Sequence, residues 1–237
     1  MVNRDEPFHN RGVYHVFNKT IDKRPIFTME NNFYADHFLK LISYYRSEKA
    51  SISYSDLKRL DKTSSDALLK TTKIKKYFKV NLLIYTLMPN HFHLLIMQNQ
   101  EGGIIKFYSD IINSLTRSFN LKHDRGGPIF LQNFKSKMIV NDESLTHESR
   151  YAHLNPLTGG VVKNLEDLRN YKWSSYGAYI GDIDNDLADT KPVLELFNFD
   201  KKRYRNFVES NAGYQKFLER IKTREKKRRR KMRIKFT

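Results

Sequence analysis

Met88-Pro89-Asn90-His91-Phe92-His93-Leu94-Leu95-Ile96 decides how this chain is read. Val80–Met88 ahead of it is apolar and rich in β-formers, and Pro89-Asn90 supplies turn chemistry. The two runs therefore predict a hairpin whose second arm begins with the histidines. Alternate residues of a strand share a face, so His91 and His93 project together while Phe92 projects to the other side. Two imidazoles side by side make half of a divalent-metal site. The other half has to come from elsewhere in the fold.

Working outward, Val13–Asn18 alternates and reads as a first strand, and Asn31–Tyr45 carries Phe33, Phe38, Leu39, Ile42 and Tyr45 at helical spacing. Residues 46–79 are rich in Ser and Lys, with one weak helical stretch around Ser65–Phe78, and read as an insertion between core elements. After His91–Met97, Gly102-Gly103 opens a helix over Ile104–Lys122, and Phe134–Val140 reads as a fourth strand. The order β-α-β-β-α-β predicts an α+β, ferredoxin-like sandwich. A third helix near Glu143–Leu154 is expected to stop at Asn155-Pro156, because the residue before proline disfavours the helical region. Pro192–Phe207 and Gly213–Lys231 look helical and increasingly basic. The domain reading is a core over 11–181 and a helical basic extension over 182–237.

The formal charge of +17 implies a polyanionic partner. It is unevenly spread: residues 201–237 hold 16 Lys/Arg against Glu209, Glu219 and Glu225. Most of the basicity therefore lies in a tail suited to phosphate contact or to simple solvation. Cysteine is absent, which excludes disulfides, zinc–thiolate sites and a cysteine nucleophile. Met1–Gly12 is polar and no apolar run approaches the length of a membrane span, so a cytoplasmic protein without a membrane partner is expected.

An ordered set of motifs extends beyond the histidines. It comprises Tyr14-His15-Val16-Phe17-Asn18-Lys19, Asp22-Lys23-Arg24, Leu87–Leu95, Ser118-Phe119-Asn120, Gly127-Pro128-Ile129-Phe130, Phe134-Lys135-Ser136, Arg150-Tyr151-Ala152-His153-Leu154-Asn155-Pro156 and Trp173-Ser174-Ser175-Tyr176. In this set the chain resembles the REP-associated tyrosine transposases, a branch of the single-tyrosine HUH transposases of insertion sequences. The resemblance implies an enzyme that binds single-stranded or hairpin DNA. It implies a histidine pair with a third polar ligand holding Mg²⁺ or Mn²⁺ on the scissile phosphate. A tyrosine on the helix after the histidine strand would attack, leaving a 5′-phosphotyrosyl link and a free 3′-hydroxyl.

On this resemblance the metal ligands are His91 and His93, with Asn120 as a third ligand or, equally, a helix-end cap. The family helix reads Tyr-x-x-x-Phe-Asn, whereas this chain reads Leu115-Thr116-Arg117-Ser118-Phe119-Asn120. Tyr108 is a displaced candidate nucleophile, seven residues upstream and about 10.5 Å away along the axis. It also belongs to an apolar stripe with Ile104, Ile111, Ile112, Leu115 and Phe119, the pattern of a face packed on a sheet. Arg117, Lys122, Arg125 and Lys135 are candidate phosphate contacts, and the resemblance adds His153 and Asn155 as strand-contacting residues. Trp173 and Tyr176 could stack a base but read more readily as core. Leu115 opens two alternatives to covalent strand transfer: an inactive hairpin-binding relative, or a metal-dependent nickase using water.

Overall fold

A computed structural model describes residues 7–30, 32–183, 185–218, 221 and 224–225. Most of the expected helix to Lys231, and nearly all of the basic run Lys222–Thr237, lie outside the described residues.

Four strands form one antiparallel sheet: β1 (Val13–Lys19), β2 (Val80–Met88), β3 (His91–Gln98) and β4 (Lys135–Ile139). Their order is β2-β3-β1-β4. The hairpin forms where Pro89-Asn90 reverses the chain. Its turn is clamped by a neighbouring loop, since the Ile26 and Phe27 amides both donate to the Pro89 carbonyl and Thr20 N–H donates to that of Asn90. These bonds hold the start of β3, and hence His91, in place.

Residues paired across the sheet share a face. Tyr14, Val16 and Asn18 of β1 pair with Ile96, Leu94 and Phe92 of β3, and all six are buried. Over them pack α1 (Phe33–Tyr45) and, in its sequence position after β3, a 20-residue helix over Gly103–Lys122. Phe92 sits 5.0 Å between ring centroids from Phe38 of α1. Gly103 permits the long helix to start here, because a Cβ would lie 2.6 Å from the Lys79 carbonyl oxygen.

Residues 46–79 hold two short helices, α2 (Tyr54–Leu57) and α3 (Lys62–Thr72), so the helix Gly103–Lys122 is α4. α3 begins where Asp61 caps the Ser64 amide.

The opposite face is covered by α5 (Asp142–Thr158), capped by Asn141, whose side chain accepts from the Ser144 amide. The helix does not stop before Pro156 but passes through it, ending at Thr158. Proline this close to a C-terminus costs little: the last-turn carbonyls find other donors, the Val161 amide reaching Pro156 O at 2.8 Å. This correction matters for function, because it puts Asn155 on a helix rather than in a loop.

Four short helices follow among the described residues: α6 (Leu165–Arg169), α7 (Tyr176–Ile180), α8 (Lys191–Glu195) and α9 (Lys201–Glu209), with helical backbone again over 212–218. The expected helix over Pro192–Phe207 is thus two helices. Asn198 and Phe199 break it with positive φ, and Asp200 caps the second. Trp173 and Tyr176 are fully buried, and the indole N–H of Trp173 donates to Asp36 at 2.8 Å, so both are core residues. Val193, Phe197, Tyr204 and Val208 join the same buried cluster as the sheet. No helix among the described residues is long and apolar enough to cross a membrane.

Candidate active site

His15, Phe17 and Lys19 of β1 point to the α5 face, and Phe17 and Lys19 pair with His93 and His91. With α5 they enclose an open cavity of about 610 Å³. His15, His91 and His93 line it from the sheet, and Glu148, Tyr151 and Asn155 line it from α5. The strand-alternation argument therefore gives the right geometry: the His91 and His93 rings are 5.2 Å apart on one face, and that face opens to a cavity.

The hydrogen bonds around the pair set their protonation. Nδ1 of His91 lies 2.7 Å from the side-chain oxygen of Asn90, which can only accept, so Nδ1 carries the proton and Nε2 the lone pair. Burial, with Lys19 nearby, lowers the His91 pKa to about 4. His93 is held well below the ordinary histidine range by burial first and then by His15, His91 and Lys19. Both rings are therefore neutral near pH 7, the state in which imidazole binds a metal.

Asn155 stands four residues after Tyr151, one helical turn, and so shares its face of α5. It is buried, and its amide nitrogen has no hydrogen-bond partner. An amide with an unused polar end at the wall of a cavity can present its oxygen to a cation or its N–H₂ to a phosphate. Among the described residues no group of three or more His, Asp or Glu has an arrangement suited to a metal. A cation here would have two imidazoles and an amide from the protein, with oxygens of a bound substrate completing the shell.

Tyr151 faces the histidines, its ring centroid 5.7 Å from that of His93 and 6.1 Å from that of His15. Its spacing to Glu148 and Asn155 (three and four residues) is a one-face helical pattern visible in the sequence. It goes unread when the helix is taken to end at Leu154.

Tyr108 is elsewhere. It is 7% exposed on the α4 face of the sheet, stacked 4.0 Å from Phe134, and Asn18 Nδ2 donates to its hydroxyl at 2.5 Å. Leu115 is fully buried in the same layer. The sheet itself separates α4 from His91 and His93, so neither position is a nucleophile slot for that pair, and the expectation for Tyr108 is corrected. Asn120 is corrected as a ligand for the same reason. Its Nδ2 donates to Gly127 O at 2.8 Å and its Oδ1 accepts from Arg125, which ties down the loop after α4.

Arg117, Asn120 and Arg125 line a separate open depression at the end of α4, and Lys122 lies 4.4 Å over the Phe33 ring. None of the three basic residues borders the histidine cavity. Lys135 does share its face, since it pairs with Phe17 across β1 and β4.

His153 is fully buried, with Nδ1 2.7 Å from Tyr204 Oη and Nε2 2.9 Å from Ser175 Oγ. Burial lowers its pKa to about 3. It is a neutral core residue joining α5 to α9, so the expectation of a strand contact is corrected. Asn155, by contrast, reaches the cavity.

No family model matches the sequence, and no curated protein does. In fold, the chain is similar to a solved REP-associated tyrosine transposase bound to a REP hairpin. The two share 14% identity at a TM-score of 0.51, over 81% of this chain and 96% of that one. At that identity the likeness is one of fold alone.

Proposed function

We propose that this protein binds hairpin or single-stranded DNA and cleaves and rejoins it through a phosphotyrosyl link on Tyr151, assisted by Mg²⁺ or Mn²⁺ at His91, His93 and Asn155. The sheet order supports a ferredoxin-like HUH core, and the structural neighbour, solved bound to a REP hairpin, supports the substrate class. The observation that carries the reading is convergence: two neutral histidines, an underused amide and a tyrosine from a different element meet at one open cavity.

A divalent cation bound there would neutralise charge building on the non-bridging oxygens of the phosphate. Tyr151 Oη would attack phosphorus as the P–O3′ bond breaks. The phenolic proton leaves to solvent and the departing 3′ oxygen takes one up, so one phosphodiester replaces another and rejoining needs no ATP. Lys19 and Lys135, on the histidine face, suit the backbone of the strand.

The test is a denaturing gel of the full chain mixed with 3′-end-labelled hairpin DNA and Mn²⁺. A labelled protein–DNA adduct is expected. Nicking without adduct would move the chemistry to water, and binding without cleavage would leave a hairpin-binding module; either result overturns the covalent reading.

Salt dependence checks the binding face. Lys135→Ala should reduce the magnitude of the slope of log K against log salt by about 0.7, one single-strand phosphate contact. Arg117→Ala, beside a different depression, should leave it unchanged. Removing Lys222–Thr237, with ten basic residues against Glu225, should lower affinity for all DNA sequences alike and flatten the slope.

A further inference from the structure

One aromatic ring in the cavity wall has no part in the proposed chemistry. Strand alternation sends Tyr14, Val16 and Asn18 of β1 to the core and His15, Phe17 and Lys19 to the cavity. Phe17 is half-buried, and it belongs neither to the buried apolar cluster nor to the apolar side chains packed against it. Its ring neighbours among the described residues are two imidazoles, His15 at 5.3 Å and His93 at 5.8 Å between centroids. Directly across the sheet it pairs with His93 on one side and Lys135 on the other, and Lys19 and Lys137 stand two residues further along the same face. A phenylalanine gains most from burial in hydrocarbon, yet this one stands in an open cavity among lysines and imidazoles.

We propose that Phe17 is a base-stacking platform, holding one unpaired nucleobase of the DNA strand whose phosphate lies at His91 and His93. The proposal deepens the DNA-binding reading above and rests on it. Aromatic side chains set among basic residues are how proteins hold single strands: the lysines meet phosphates and the ring meets the flat face of a base. The register gives the placement. Because Phe17 sits opposite His93, a phosphate held by the histidine pair leaves the base of an adjoining nucleotide beside the Phe17 ring. That base has to be unpaired, since within a duplex both of its faces are already stacked on its neighbours. Phe17 thus favours the single-stranded flank of a hairpin over its stem. With no hydrogen-bonding group, it holds a base without reading which base it is.

The experiment measures equilibrium binding of the full-length chain to hairpin DNA with a single-stranded flank, without divalent metal so that no strand is cut. Each flank nucleotide is made abasic in turn. One abasic position is expected to weaken wild-type binding about 5–150-fold, the loss of one base–aromatic stack. Phe17→Leu should weaken binding of the intact flank by the same factor and be indifferent to that abasic position, while Phe17→Tyr keeps both the affinity and the sensitivity. If no abasic position weakens wild-type binding, the proposal is overturned whether or not any variant folds. It is overturned equally by a folded Phe17→Leu that keeps wild-type affinity, or that stays sensitive to the abasic position, which would make Phe17 an apolar shield of the histidines. If the wild type binds neither the flanked hairpin nor a bare one, the DNA reading fails and the platform with it.

Discussion

Tyr151→Phe is expected to abolish the protein–DNA adduct, with a loss on the order of 10³-fold or more in cleavage, while hairpin affinity changes little. Removing one hydroxyl takes away the proposed nucleophile and leaves the ring in its place against His15 and His93. The paired variant Tyr108→Phe should keep the adduct. Its hydroxyl is bonded to Asn18 in the core, so the cost there is one buried hydrogen bond, about 1 kcal/mol of stability. The two variants thus separate the faces of the sheet in one denaturing gel and one melting curve. An adduct that survives Tyr151→Phe and disappears with Tyr108→Phe would place the chemistry on the other side of the molecule.

The second large effect concerns stability. His153→Ala should destabilise the fold by about 3 kcal/mol, from the cavity left by a buried ring and from stranding Tyr204 Oη and Ser175 Oγ. For a chain of this length that is a melting temperature lower by about 6–12 °C. His153 lies two residues from Tyr151 yet on the opposite side of α5, so DNA affinity of the folded fraction should be retained. Loss of DNA binding with an unchanged melting temperature would make His153 a strand contact after all.

Much of the core was legible in residue order. Val80–Met88 and His91–Met97 are apolar runs rich in β-formers divided by Pro89-Asn90, so the hairpin and the shared face of His91 and His93 follow from local chemistry. The stripe through Ile104, Tyr108, Leu115 and Phe119 likewise reads as a packed face, and it is one. The misreadings share a cause. The resemblance puts a tyrosine on the helix that follows β3 in the chain, whereas α4 and α5 cover opposite faces of the sheet. Sequence proximity says nothing about which face a connecting helix takes.

Pro156 accounts for the early stop expected of α5. Local preference ends a helix before proline, but late in α5 only the Ala152 carbonyl loses its helical donor, the Asn155 and Pro156 carbonyls accept from the Gly159 and Val161 amides, and packing against the sheet outweighs the lost bond. Once α5 extends to Thr158, Glu148, Tyr151 and Asn155 fall on one stripe.

Period-two alternation by itself determined that His91 and His93 stand together, because that pairing depends only on backbone geometry. Which tyrosine, which amide and which carboxylate meet them was decided by the tertiary structure alone. Those side chains come from a helix some sixty residues away in the chain, and only the packing of that helix on one side of the sheet brings them within reach.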